Sequence, residues 1–157
     1  MDRSAIFSPC RKYRYRLWRR WKDGDSCCFL MLNPSTANEV ANDPTVERCE
    51  RRAREWGYGR LDVVNLFAFR STDPKALYSL EDPVGPDNDR HILESAASAG
   101  RLICAWGVHG ALGDRGEKVL DMLHRNGEQP HALAITVGGH PRHPLYLPYS
   151  LKPVLMQ

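Results

Sequence analysis

Two asparagines and a histidine, each at the end of an apolar run, are the side chains best placed to do chemistry. Asn33 follows Phe29-Leu30-Met31-Leu32 and leads straight into Pro34 and Ser35. Asn65 interrupts the run of Val63, Val64, Leu66 and Phe67. His140 follows Gly138-Gly139 and opens His-Pro-Arg-His-Pro, which brings His143 in close behind. An amide does not titrate; it can orient a water or read a ligand edge, but it cannot act as a base. A histidine can donate to charge that develops on a leaving group. Pro34 fixes its own φ and drives Asn33 out of the helical region, which holds that amide rigidly at a loop mouth. Read alone, Asn33-Pro34 is equally a turn that closes a strand. Asn65, in a buried strand, needs partners from the backbone or from a ligand.

Metal chemistry is the alternative for His109, His140 and His143. His-Pro-Arg-His has no cysteine or carboxylate companion at a ligand spacing, so no metal is expected. Neither GxxxxGK[ST] nor GxGxxG occurs, which argues against nucleotide hydrolysis and dinucleotide binding, and no cofactor is expected.

The three positions converge only if the elements that carry them form a parallel sheet. Residues 26–32, 61–69, 101–106 and 131–137 read as core strands. Between them lie helical patterns. Asp43 caps the first and Pro44 starts it, Val46, Cys49, Ala53 and Trp56 form its stripe, and Gly57 ends it. Asp87 caps a second, with Ile92, Leu93, Ala96 and Ala97 inward, and residues 113–124 form a third around Val119, Leu120 and Leu123. Strand alternating with helix predicts an α/β fold, a central mostly parallel sheet with helices on both faces, whose ligands bind at the carboxyl ends of the strands. Residues 13–21 alternate, Tyr13, Tyr15 and Leu17 on one face and Arg14 and Arg16 on the other. With the Asp23-Gly24 turn they predict an antiparallel hairpin with 26–32.

The 157 residues suit a single domain, 1–157, with a real core. Net charge is +3, but the first 22 residues carry +7 and the rest −4. Such a block suits phosphate contact, or a solvated strand edge guarded against aggregation. Its interleaved aromatics and arginines favour cross-strand packing over base stacking. No apolar stretch is long enough to cross a bilayer, and the basic N-terminal residues follow a weakly apolar segment, unlike a signal peptide. The five cysteines contain no CxxC pair, as suits reduced thiols in the cytoplasm.

Leu32-Asn33-Pro34-Ser35, the strand with Asn65, Ala105-Trp106-Gly107 and His140-Pro141, in that order over most of 27–150, resemble the uracil-DNA glycosylase superfamily. A closer resemblance, covering nearly the whole chain, is to the bacterial and phage family called domain of unknown function 1643. It is carried by LNPSTA, DPT, NLFAFRSTDP, DPVGPDND, WGVHG and HPRHPLYLP. The second family implies no activity. The first implies a three-layer αβα sandwich and hydrolysis of the N-glycosidic bond of a modified or damaged base, in DNA rather than RNA, by a monomer. The alternative is a nucleobase-binding module of the same fold without the chemistry. The resemblance makes Asn33 the residue that positions the attacking water and His140 the donor to the departing base. Asn65 then reads the base edge, Pro34, Ser35, Phe67 and His143 line its site, and Leu145 or Tyr146 wedges into the duplex. Arg14, Arg16 and Arg142 are the candidate phosphate contacts. Met31 and Ser35 stand where mismatch glycosylases have glycines, and His143 where a small residue is usual.

Overall fold

The computed structural model describes residues 2–156. Its strands are β1 (Asp2–Phe7), β2 (Arg14–Arg20), β3 (Ser26–Met31), β4 (Arg60–Asn65), β5 (Arg101–Cys104), β6 (His131–Ala132) and β7 (Val154–Leu155). The helices are α1 (Pro44–Glu55), α2 (Asn88–Ser98) and α3 (Arg115–Arg125), with 3-10 segments at Pro74–Ser79 and Val108–Asp114. The strands form one mixed sheet in the order β1-β2-β4-β3-β5-β6-β7. β4, β3, β5 and β6 run parallel, and β1, β2 and β7 add antiparallel edges.

β3 lies at the centre because every one of its residues is buried, so it needs cover on both faces and a strand on both sides. Its side chains divide by parity. Cys27, Phe29 and Met31 join the core cluster of α1, with Val46, Cys49 and Ala53. Cys28, Leu30 and Leu32 join the cluster of Ile92 and Ala96 from α2 and Val119 and Leu123 from α3. α1 begins as its sequence dictates, with the Asp43 carboxylate accepting the Val46 N–H at 2.8 Å and Pro44 in the first turn.

Several expectations are corrected. The 13–21 segment does not pair with 26–32, because β4 lies between them, with Val63 opposite Leu17 of β2 on one side and Phe29 of β3 on the other. The Asp23-Gly24 turn reverses the chain but does not choose its partner. Gly59 does so: its carbonyl accepts from Trp21 and Lys22, its N–H donates to Asp25, and backbone of Lys22 and Asp23 packs where a side chain would stand. The N-terminal antiparallel pair is instead β1 with β2. Asp87 makes no side-chain cap, and Ala97 is exposed while His91 and Ser95 turn inward. The 61–69 strand stops at Asn65, and the 131–137 strand shrinks to two residues.

The alternation of β2 does not expose Arg14, Arg16 or Arg19; only Arg20, at the end of the strand, is exposed. Arg14 is 1% and Arg19 0% exposed. Arg19 reaches four carbonyls, those of Ser4, Trp18, Asn38 and Ala41, and the Asn42 side chain. Arg16 is half-buried against Asp62, which Arg60 also pairs. Arg14 and Arg19 are thus internal scaffolding, whereas Arg3, Arg11, Lys12, Arg20 and Lys22 of the same block are exposed. No helix among the described residues is long and apolar enough to cross a membrane.

Candidate functional site

At the carboxyl ends of β3 and β4 a cavity of about 460 Å³ opens. That is the size and position at which α/β sheets hold small ligands. Its floor is built by β2 and β4. Arg14 donates through Nη1 to Ala37 O at 3.1 Å and through Nη2 to Asn65 Oδ1 at 3.4 Å. Burial lowers the Arg14 pKa to about 10, with Asp43 opposing the shift and Arg70 and Arg19 adding to it, so the guanidinium remains charged at neutral pH. Asn65, 1% exposed, ends β4 with its backbone carbonyl held by Asn88 Nδ2 at 2.8 Å from the opposite face of the sheet. Its side-chain Nδ2 is buried in the cavity wall and has no hydrogen-bond partner among the described residues. A buried donor without an acceptor is costly, and a ligand acceptor would satisfy it.

The loop after β3 supplies the second amide. Asn33 Nδ2 donates to Ser71 O at 2.9 Å and Pro34 O at 3.1 Å, and Ser71 N returns a bond to Pro34 O. These bonds strap the 33–35 loop to residue 71 and fix the Asn33 amide, leaving its Oδ1 as the atom able to accept from a water. Pro34 and Ser35 line the same cavity. Asp43 lines it too, with Oδ1 on Val46 N and Oδ2 on Ala37 N at 3.4 Å. A cap for α1 is thus also the carboxylate of the site, and the sequence signal for the cap gave no sign of the second role.

The histidines separate. His143 lines the cavity, and its Nδ1 accepts the Leu145 N–H at 3.2 Å, which places the proton of the neutral ring on Nε2. Burial holds its pKa below the ordinary value against the pull of Asp43. His140 lies elsewhere, in a hollow of about 110 Å³ lined also by Asp114 and Glu117. Trp106, 2% exposed, borders both spaces. The sequence pairing of Asn33 with His140 is therefore not what the fold brings together; Asn33, Asn65 and His143 share one cavity. Next to His140, Pro141 O accepts from Gly107 N just beyond β5.

The remaining candidates scatter. Phe67, 2% exposed, packs in the α2–α3 cluster and lines a different hollow, beside Leu77 and Tyr78. Leu145 lines the cavity, whereas Tyr146 is 88% exposed with φ 68° and Arg142 is exposed. His109 lines the cavity mouth, where its Nδ1 meets the Tyr78 hydroxyl at 2.9 Å. No group of three or more His, Cys, Asp or Glu side chains among the described residues is arranged to hold a metal.

No curated protein and no solved structure matches the chain. A family model does, from Arg14 to Leu145, the first and last residues that line the cavity. The chain belongs to the family described as Protein of unknown function (DUF1643).

Proposed function

We propose that this protein recognises a nucleobase in nucleic acid, DNA rather than RNA, and hydrolyses its N-glycosidic bond. The observation that carries the reading is the unpartnered amide of Asn65, buried in the wall of a cavity large enough for a base. The order of Asn33-Pro34, Asn65, Trp106 and the His-Pro loop supports a three-layer sandwich of uracil-glycosylase type. α1 on one core cluster and α2 and α3 on the other support it as well. The base leaves the stack, at a cost of a few kcal/mol, and enters the cavity. As the bond to the sugar breaks, negative charge gathers on the base, and the donors of Asn65 Nδ2 and His143 Nε2 are preorganised to meet it. Asn33 Oδ1 orients the water and the Asp43 carboxylate takes its proton. Tyr146 and Arg142, exposed just beyond the His-Pro start, contact the nucleic acid.

A second reading, a binding module without turnover, is favoured by one feature. Both Asp43 oxygens already accept backbone N–H groups, which ties the only carboxylate lining the cavity among the described residues to a structural task. One experiment separates the two. Duplex and single-stranded oligonucleotides bearing a panel of modified and damaged bases are incubated with the protein, then assayed for abasic sites and for retention of the oligonucleotide. Abasic product supports hydrolysis; base-dependent retention without product supports the module. Neither product nor base-dependent retention on any oligonucleotide rejects both.

A further inference from the structure

β2 runs antiparallel to β4, and that direction decides which exposed cations can serve the cavity. Its first residue, Arg14, lies at the carboxyl end of β4, where its N–H donates to Ala68 O, and its last, Arg20, lies opposite Arg60 at the far end. At about 3.3 Å per residue the two ends are about 20 Å apart. The exposed cations therefore fall into two groups. Arg11 and Lys12 stand on the turn between β1 and β2, at the cavity end. Arg20 and Lys22 stand at the far end, where Arg20 is paired with Asp23.

The turn is bound to the rim of the cavity. Arg70 N donates to Lys12 O at 2.9 Å, and the next residue, Ser71, lines the cavity and donates to Pro34 O. Arg70 is half-buried and adds a third cation. Its guanidinium lies 4.9 Å from the centre of the Phe7 ring, and that of Arg11 lies 3.9 Å from the same ring. Contact with one aromatic ring gathers two like charges whose mutual repulsion an anion would relieve. The carboxylate that meets them is Glu39, which accepts from Arg11 in two bonds of 2.8 and 3.0 Å. We infer that Arg11, Lys12 and Arg70 form a phosphate-binding strip that holds the backbone of the nucleic acid on the β2 side of the cavity, with Arg142 on the β6 side. The inference rests on the nucleic-acid reading and deepens it by giving the strand a second anchor. Guanidinium forks match phosphate oxygens, and such contacts position a strand without reading its sequence. An acidic protein segment would match the charge but would leave the adjoining base-sized cavity unused.

The test measures fluorescence anisotropy of labelled oligonucleotides of ordinary bases, duplex and single-stranded, with the full chain over a range of salt. Each phosphate contact contributes about 0.9 units of slope on a duplex and about 0.7 on a single strand. Arg11→Gln, Lys12→Gln and Arg70→Gln combined should flatten the slope by about two units and weaken binding about tenfold or more at low salt. Arg20→Gln with Lys22→Gln removes two exposed cations from the far end and should leave the slope within about half a unit of the wild type. Glu39→Gln should tighten binding about threefold or more, since it frees Arg11 and removes the opposing charge. Circular dichroism checks the fold. Should the triple variant fail to fold, Lys12→Gln alone, on an exposed side chain, should still lower the slope by about one unit. A far-end variant that flattens the slope as much as the triple variant would mean binding by diffuse charge and overturns the inference. A folded triple variant with the wild-type slope also overturns it, and base-dependent retention in that protein would leave the nucleobase reading standing. Labelled poly-glutamate bound as tightly as the oligonucleotides, and lost in the triple variant, would assign the strip to an acidic protein instead. Absence of oligonucleotide binding by the wild type at low salt rejects the nucleic-acid reading and the inference with it.

Discussion

Asp43 shows how one side chain can serve the fold and the site at once, and substitution can separate the two. Asp43→Ala removes the cap of α1 and should lower unfolding free energy by about 1–2 kcal/mol, read by denaturant titration. Asp43→Asn retains a good cap and should stay within about 1 kcal/mol of the wild type, yet it cannot take a proton. If the protein is a hydrolase, the asparagine variant should lose about a hundredfold or more in abasic-site formation; full activity would remove Asp43 from the reaction. His143 and His91 carry a pH signature. Burial holds both below the ordinary histidine value in the folded state, with Arg90 adding to the shift at His91. A depressed folded-state pKa means the unfolded chain binds protons first. Stability from these residues is therefore complete above about pH 6.5 and declines as pH falls through the window beneath it. Thermal unfolding across that range should show an acid limb that flattens in the double variant His91→Gln, His143→Gln.

At the level of elements, what could be read in advance followed local chemistry, and what could not followed tertiary partners. α1 was legible because Asp43-Pro44 and the stripe Val46, Cys49, Ala53 and Trp56 are local signals; Val46, Cys49 and Ala53 are buried and Trp56 partly so. The partner of β2 was not legible, since Asp23-Gly24 specifies a reversal while the contest between β3 and β4 for the edge is settled by packing at Gly59. Arg14 misled for a related reason: alternation distinguishes two faces but cannot tell a solvated arginine from one buried with carbonyl partners. His140 and His143 are close in sequence, yet the wall formed by Trp106 parts them. That wall depends on Gly110 and Gly116, against which the indole packs; a side chain at Gly110 would collide with the ring. Gly110→Ala should therefore cost about 1–3 kcal/mol through overpacking, measured by denaturant titration, and should weaken nucleoside binding by displacing the ring. Wild-type affinity in that variant would mean the ring yields without reshaping the cavity.

Across the whole molecule, the charge count left the N-terminal block as either a phosphate contact or a guarded strand edge, and burial divides it, with Arg3, Arg11, Lys12, Arg20 and Lys22 exposed. Arg14 and Arg19 are internal and Arg16 faces Asp62, whereas Arg142 and Tyr146 are exposed beside the cavity-lining His143 and Leu145. Arg142→Glu should weaken oligonucleotide binding and flatten its dependence on salt, since each phosphate contact contributes about one unit of slope. An unchanged slope would exclude Arg142 from the interface. The seven-strand mixed sheet brings Asn33, Asn65, Asp43 and His143 to one cavity from separated stretches of chain. The central claim is that the orphan amide of Asn65 is completed by a base. Its side-chain NH₂ resonances, assigned by comparison with Asn65→Ala, report on this directly. On titration with deoxyuridine and deoxyinosine they should move downfield and saturate with the same affinity as the backbone signals of the cavity. Resonances that stay fixed while the protein is saturated, or a protein that no nucleoside perturbs, would contradict it.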